Sequence, residues 1–345
     1  MSESPSRVCV LGAGAWGTTL AWMLAGQDRT VRLWCFEEDL AAEMQATRRN
    51  RRFRPEIELP ASLEVSSDLG AALAGADTLV LAVPSQWLRP VLDQAREHLG
   101  AVELIVSATK GLEEHTGLRM SQVVAERLGE GRPLAALSGP NLSQEIAEGM
   151  PAVSVVAAES AEVAARAQRL LSTPLFRVYR NYDIIGVELC GALKNVIAVG
   201  AGMCDGLGFG ANVKAALVTR GLAEMSRLGV RLGAAPATFW GAAGVGDLVA
   251  TCNSPQSRNW NVGHRLARGE SWEQIRQSTA SVAEGVHTTV AARGLGQRLG
   301  LALPITEALY RILFERLSAT EAVRELMTRP DKAEAEDWHP LSGPR

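Results

Sequence analysis

The chain has 345 residues, a formal net charge of −3 and a composition that is 47% apolar. That length suits two domains with a sizeable core in each, and the charge balance argues against a general binder of nucleic acid or other polyanions. Cys9, Cys35, Cys190, Cys204 and Cys252 lie in apolar or helical contexts without CxxC or Cys/His spacing, so they read as reduced, buried thiols of a cytoplasmic protein. No histidine pairs with another at ligand spacing, which predicts no metal site. Residues 1–6 lack a secretory apolar segment, and no apolar run is read as reaching the roughly eighteen residues of a membrane helix.

A short apolar strand, Arg7 to Leu11, leads into Gly12-Ala13-Gly14-Ala15-Trp16-Gly17 and a helix-compatible Thr18 to Leu24. The glycines match the dinucleotide fingerprint: the first permits a tight turn, the second lets backbone approach a pyrophosphate, and the third lets helix pack on strand. A glycine-rich turn alone is weak support for a nucleotide site. Here a second strand, Thr30 to Cys35, ends at Phe36-Glu37-Glu38, about twenty residues on, where the fingerprint places its acidic residue. The run Arg48 to Arg54, rich in arginine around Asn50 and Phe53, follows the next helix. Such a run is usually a solvated loop, with phosphate binding as the minority reading.

Strand-like segments continue at Asp77 to Val83, Glu103 to Ala108, Leu134 to Leu137, Val153 to Ala157 and Leu175 to Val178, with helices at Ser85 to Leu99 and Ala161 to Leu171. This alternation predicts an α/β fold, a Rossmann-type doubly wound sheet over residues 1–180. Its ligand crevice would lie at the carboxyl ends of the strands, where Ser85-Gln86-Trp87, Thr109-Lys110 and Gly139-Pro140-Asn141 fall.

From about Asn181 the texture becomes helical: Ile184 to Cys204, Ala211 to Leu228, Ala235 to Trp240, Asp247 to Thr251, Ser257 to Arg268, Ser271 to Gln277, Ala283 to Leu299, Ile305 to Glu315 and Ala319 to Leu326. These predict an all-helical C-terminal domain over 181–328, and the proline-bearing tail 329–345 is expected to be poorly ordered. Lys194 is the only formal charge between Glu188 and Asp205. An ammonium in so apolar a helix must find carboxylates and carbonyls, snorkel to water, or give up its proton readily. Further on, Gly246-Asp247, Thr251 and Ser257-Arg258-Asn259 assemble an acid, hydroxyls, a guanidinium and an amide. That is a kit for a phosphate or carboxylate, or else a polar surface loop.

Together with Val187-Glu188-Leu189-Cys190-Gly191-Ala192-Leu193-Lys194-Asn195, these segments resemble NAD(P)-dependent glycerol-3-phosphate dehydrogenase. The resemblance runs from about Arg7 to about Ala322, with further motifs at Val83-Pro84-Ser85, Ala108-Thr109-Lys110-Gly111-Leu112-Glu113, Ser138-Gly139-Pro140-Asn141 and Val282-Ala283-Glu284-Gly285. It implies reversible reduction of dihydroxyacetone phosphate to sn-glycerol 3-phosphate, feeding glycerophospholipid synthesis. Lys194 would be the general acid/base, Asp247 would hold and tune its ammonium, and Lys110 would hydrogen-bond the substrate oxygen.

Substrate phosphate would fall to Arg258 with Asn259, Ser257 and Thr251, and the carbinol end to Gly139 and Asn141. Many bacterial members carry Ser at the position of Asn141. For the cofactor, the resemblance implies Gly12, Gly14, Ala15, Trp16 and Gly17 at the phosphates, and Phe36, Glu37, Phe53 and Trp87 toward the adenosine end. Ser143 would lie near the nicotinamide with Val282 and Glu284 closing over that ring, and Lys110 and Arg258 would also contact the cofactor. Glu37 beside a ribose 2′-OH favours NAD, with NADP as a second cofactor if Arg51 and Arg52 fold back over that end. The expected partner is a small molecule, with no nucleic acid or membrane, and a homodimer is expected. Two alternatives stay open: a related two-domain dehydrogenase of a hydroxy acid, and a non-catalytic dinucleotide sensor.

Overall fold

The computed structural model describes residues 6–27, 29–279, 282–331 and 333–334. Most of the tail expected to be poorly ordered, residues 332 and 335–345, lies outside the described residues. Eight strands form one sheet: β1 (Arg7–Leu11), β2 (Thr30–Trp34), β3 (Leu63–Ser66), β4 (Thr78–Leu81), β5 (Leu104–Ser107), β6 (Leu134–Ser138), β7 (Ala152–Ala157) and β8 (Phe176–Asn181). Their order is β3-β2-β1-β4-β5-β6-β7-β8. Strand pairing is parallel between β1 and β2, β1 and β4, β2 and β3, β4 and β5, β5 and β6, and β7 and β8.

The central strands β4 and β5 are buried along their whole length, as parallel strands covered on both faces must be. They are therefore continuous apolar runs, which is why they are legible in the sequence. β3 is not among the strands expected above, because it offers only Leu63 and Val65 as buried residues at the sheet edge. The strand order reverses between β1 and β4, and this switch point opens a crevice at their carboxyl ends.

One expected helix is divided. Ser85 to Leu99 is a 3₁₀ turn (Ser85–Trp87), an α-helix (Leu88–Ala95) and a second 3₁₀ turn (Arg96–His98). Pro90 has no N–H to return to the Gln86 carbonyl, so the tighter first turn cannot continue as α-helix through it.

The chain forms two compact units. The first contains the described part of Met1–Thr109, with Met120–Leu137 and Ser143–Ile184; the second contains Lys110–Arg119, Ser138–Leu142 and the described part of Ile185–Arg345. A single cut at residue 180 would leave both short loops, which carry Lys110 and Asn141, outside the unit they belong to.

In the second unit the helix Ile184–Gly206 is long and apolar enough to cross a membrane, which corrects the expectation that no run is. Almost all of that stretch is buried, so other parts of the protein cover its apolar surface. It meets the helix Arg258–Ala267 nearly backbone to backbone. A Cβ added at Gly202 would lie 1.9 Å from the Trp260 carbonyl oxygen, and one at Gly263 would lie 1.8 Å from that of Val199.

In the Arg48–Arg54 run Arg51 and Arg52 are exposed, as in a solvated loop, and each arginine has a partner. Arg48 caps the helix Glu38–Thr47 with left-handed backbone (φ 55°), and its guanidinium donates to the carbonyls of Pro60 and, at 2.7 Å, Leu63. Arg49 pairs with Glu58 at 2.8 Å, Arg51 with Glu43 at 3.9 Å, Arg52 with Asp39 at 3.3 Å and Arg54 with Glu56 at 3.1 Å. Like charges so close repel one another unless neutralised, and these carboxylates offset four of the five, while Arg48 is held by carbonyl dipoles.

Candidate functional site

The glycine turn of the first unit follows the end of β1. Gly12 has φ +110°, and a Cβ there would lie 2.8 Å from the Ala82 carbonyl oxygen; a Cβ at Gly17 would lie 1.9 Å from that of Gly12. Neither position has room for a side chain. Gly14, by contrast, would find nothing within 4 Å. It is the N-cap of the helix Ala15–Ala25, whose first-turn N–H groups and dipole favour an anion. Open space at Gly14, before a helix N-terminus and at the switch point of the sheet, fits a dinucleotide pyrophosphate.

Trp16 lies in the first turn of the helix Ala15–Ala25. Its indole packs against Phe176 with ring centroids 6.4 Å apart, which leaves its backbone N–H, not its ring, at the helix N-terminus. Phe53 packs partly against the same core. Phe36 and Trp87 are large aromatics left 71% and 61% exposed, the disposition of rings that can flank a planar ligand. Glu37 precedes the helix Glu38–Thr47, and Arg52 lies 3.8 Å from its carboxylate. Ser143 opens a short helix, its hydroxyl accepting from Arg54 and its carbonyl from Thr19 at 3.4 Å.

A charged cluster lies at the centre of the second unit. Asp247, 1% exposed, begins the helix Asp247–Asn253, following a π-helical turn at Ala242–Gly246. One carboxylate oxygen accepts from Lys194 Nζ and the other from Lys110 Nζ at 2.9 Å. Thr251, one turn along and on the same face, accepts from Lys194 at 2.8 Å. Lys110 also donates to Asn141 Oδ1 at 2.7 Å and to the Gly139 carbonyl at 3.1 Å. Gly191, one turn before Lys194, gives room to Ser138: a Cβ there would lie 2.5 Å from Ser138 Oγ, whereas the Lys110 stem, at 3.6 Å, would be in ordinary contact.

Two cations thus share one buried anion. Burial pulls the Lys194 pKa down from 10.5 to about 7; Asp247 opposes that fall and the second ammonium, Lys110, adds to it. For Asp247 burial acts upward, yet the two ammonium groups together hold its pKa below the ordinary value. The cluster therefore keeps its carboxylate charged while leaving one lysine ready to exchange a proton near neutrality.

The structure brings Lys110, Gly139, Asn141, Lys194, Asp247 and Thr251 together, and it gives the remaining substrate candidates different duties. The Asn259 amide is committed to the scaffold, donating to Asn195 Oδ1 at 2.9 Å and accepting from Gly285 N–H at 2.9 Å. Ser257 caps the helix Arg258–Ala267 by accepting from Trp260 N–H. What these two offer an anion is the first turn of that helix, with Arg258 exposed at its start. Val282 is half-buried, and Glu284 opens the helix Glu284–Leu299 and is buried. Asn195 has no role in the sequence reading; its only signal is its place beside Lys194. Among the described residues no group of three or more His, Cys, Asp or Glu is placed to hold a metal ion.

A doubly wound dinucleotide-type sheet joined to a helical unit with a buried lysine–aspartate–lysine cluster defines a two-part oxidoreductase. Family models for the N-terminus and C-terminus of NAD-dependent glycerol-3-phosphate dehydrogenase match residues 7–164 and 183–324, and the chain belongs to this family. It is 48% identical over 330 residues to glycerol-3-phosphate dehydrogenase [NAD(P)+] of Citrifermentans bemidjiense, covering 95% of this chain and 98% of that one. The corresponding protein of Geobacter sulfurreducens is 49% identical over 336 residues, covering 97% and 99%. The crystal structure of glycerol-3-phosphate dehydrogenase from Coxiella burnetii aligns with TM-score 0.91 at 39% identity, over 94% of this chain and 99% of that one.

Because the folded protein favours neutral Lys194, the unfolded chain binds more protons between about pH 7 and 10.5, and this group adds stability as pH rises through that window. The contribution approaches about 1.4 kcal/mol per pH unit mid-window. Unfolding of wild type and Lys194→Met, compared from neutral to alkaline pH, should show wild type gaining relative to the variant. Parallel pH dependences would contradict the lowered pKa.

Proposed function

We propose that the protein is an oxidoreductase that interconverts dihydroxyacetone phosphate and sn-glycerol 3-phosphate with NAD(P)H. The observation that carries this reading is the buried Asp247 bridging Lys194 and Lys110 in a member of this family. When bound, the nicotinamide supplies or accepts the hydride. The chain supplies orientation and the proton. In ketone reduction Lys194 Nζ gives its proton to the substrate oxygen as a hydride reaches the carbon, leaving a neutral amine held by Asp247 and Thr251. In alcohol oxidation the same amine takes the proton back. Lys110 donates a hydrogen bond to that oxygen and stabilises developing alkoxide.

Arg258 and the first-turn N–H groups of its helix would receive the substrate phosphate. A sensor has no use for such a proton shuttle, which favours an enzyme over the non-catalytic alternative. The product serves glycerophospholipid synthesis. Five free, buried cysteines suit a cytoplasmic setting. We also read the protein as a homodimer acting on a small-molecule substrate.

Lys194→Ala should lower kcat for NADH-dependent reduction of dihydroxyacetone phosphate by about a hundred- to ten-thousandfold, with NADH affinity retained. Near-normal kcat would remove the acid/base role, and a parallel loss of NADH affinity would make the lysine structural. Arg258→Ala should raise KM for dihydroxyacetone phosphate by about ten- to a hundredfold while barely changing that for unphosphorylated dihydroxyacetone. Equal losses on both substrates would assign Arg258 to the fold.

For the cofactor we propose NAD preference with residual NADP use. Glu37 can accept from a ribose 2′-OH, while Arg52, beside Glu37 and Asp39, could turn to a 2′-phosphate. Measured as kcat/KM at low ionic strength, NADH should exceed NADPH, and Arg52→Ala should widen the gap. A wild-type preference for NADPH would refute the assignment.

A further inference from the structure

We propose that Asn50, the one amide within the arginine run, is a positioning residue that sets the fingerprint turn for the dinucleotide pyrophosphate. The inference rests on the nicotinamide reading above and assigns a role that the glycine motif does not contain. Asn50 has no exposed surface, although it lies between arginines. Its Nδ2 donates to the Ala13 carbonyl at 2.8 Å and to Thr18 Oγ1 at 2.8 Å; its Oδ1 accepts from Phe53 N–H at 3.1 Å. Thr18 Oγ1 in turn donates to the same Ala13 carbonyl at 3.1 Å. Two buried side chains, joined to each other, therefore fix one carbonyl in the middle of Gly12-Ala13-Gly14.

The consequence follows from peptide geometry. In a planar trans peptide the C=O and the next N–H point in opposite directions. Drawing the Ala13 oxygen inward onto Asn50 and Thr18 turns the Gly14 N–H outward, away from those side chains, at the one fingerprint glycine with open space beside it. An anion there would meet a donor already oriented, with no peptide rotation needed on binding. Without Asn50 half of that restraint is lost, and the Ala13–Gly14 peptide can turn its carbonyl toward the anion.

The arginine run acquires a purpose from this arrangement. Asn50 is carried by a tight turn in which Arg54 N–H donates to the Asn50 carbonyl at 2.8 Å, and the flanking arginines are held to Glu58, Glu43, Asp39 and Glu56. Those pairs fasten the loop from outside while its amide enters the turn.

The test uses the full-length protein and three probes: NADH followed by fluorescence, with inorganic pyrophosphate and adenosine as competitors. Asn50→Asp keeps the size but removes the donor, and it should weaken NADH binding and pyrophosphate competition together by about ten- to a hundredfold. Adenosine competition and KM for dihydroxyacetone phosphate should stay near wild type. Arg166→Ala, which breaks an exposed pair with Glu103 away from this loop, should leave all four readouts unchanged. Equal weakening of adenosine and pyrophosphate would overturn the proposal in favour of a general structural role, as would unchanged pyrophosphate competition. If Asn50→Asp does not fold, Thr18→Val should give the same pattern at smaller amplitude, and wild-type pyrophosphate competition in that variant would overturn the proposal. Wild-type protein that bound no NADH would instead overturn the nicotinamide reading itself.

Discussion

The carboxylate of Asp247 is the constraint around which the second unit is organised. Placing charges out of water costs several kcal/mol per ion unless each finds a partner in good geometry. Asp247 meets that demand by accepting from a lysine at each oxygen, with Thr251 contributing a further acceptor to Lys194. Burial loosens the proton of Lys194, the more buried of the two lysines, and repulsion from the second ammonium on the same carboxylate adds to that effect.

Such a cluster functions only if its members cannot move apart, and the unit achieves this with glycine. Gly202 and Gly263 bring two helix backbones to a separation that no Cβ would permit, while Gly285 lies against Asn195, whose own side chain is bound by Asn259. The helix carrying Lys194 and the helix beginning at Arg258 are consequently locked in register. Asn259 commits its amide to this lock.

The first unit solves a related problem with neutral groups. Its turn must present N–H groups toward an anion, and Asn50 with Thr18 settles the orientation of one peptide from behind. The acidic residues around the arginine run both neutralise it and limit what its arginines can do. Arg52 is held by Glu37 and Asp39, so a charge drawn to the cofactor end would first have to leave two carboxylates.

Local order was legible where a single segment carries its own physical signal. Buried parallel strands are continuous apolar runs, Gly12 and Gly17 are demanded by close backbone contacts, and a lone lysine in an apolar helix announces that it needs a partner. β3 was not legible, since two buried residues at a sheet edge make no pattern, nor was the division of the helix around Pro90. Asn50 gave no signal, because nothing in an arginine run reveals which neighbour turns inward. The same limit holds for Asn259 and Trp16, whose side chains are engaged by Asn195 and Phe176. The amino-acid sequence determined the α/β and helical halves, the glycine turn and the lysine and aspartate types that the chemistry requires. Tertiary structure alone decided which polar atoms pair, because a hydrogen bond is set by distances of a few ångströms between residues tens of positions apart, and periodicity along the chain does not encode them.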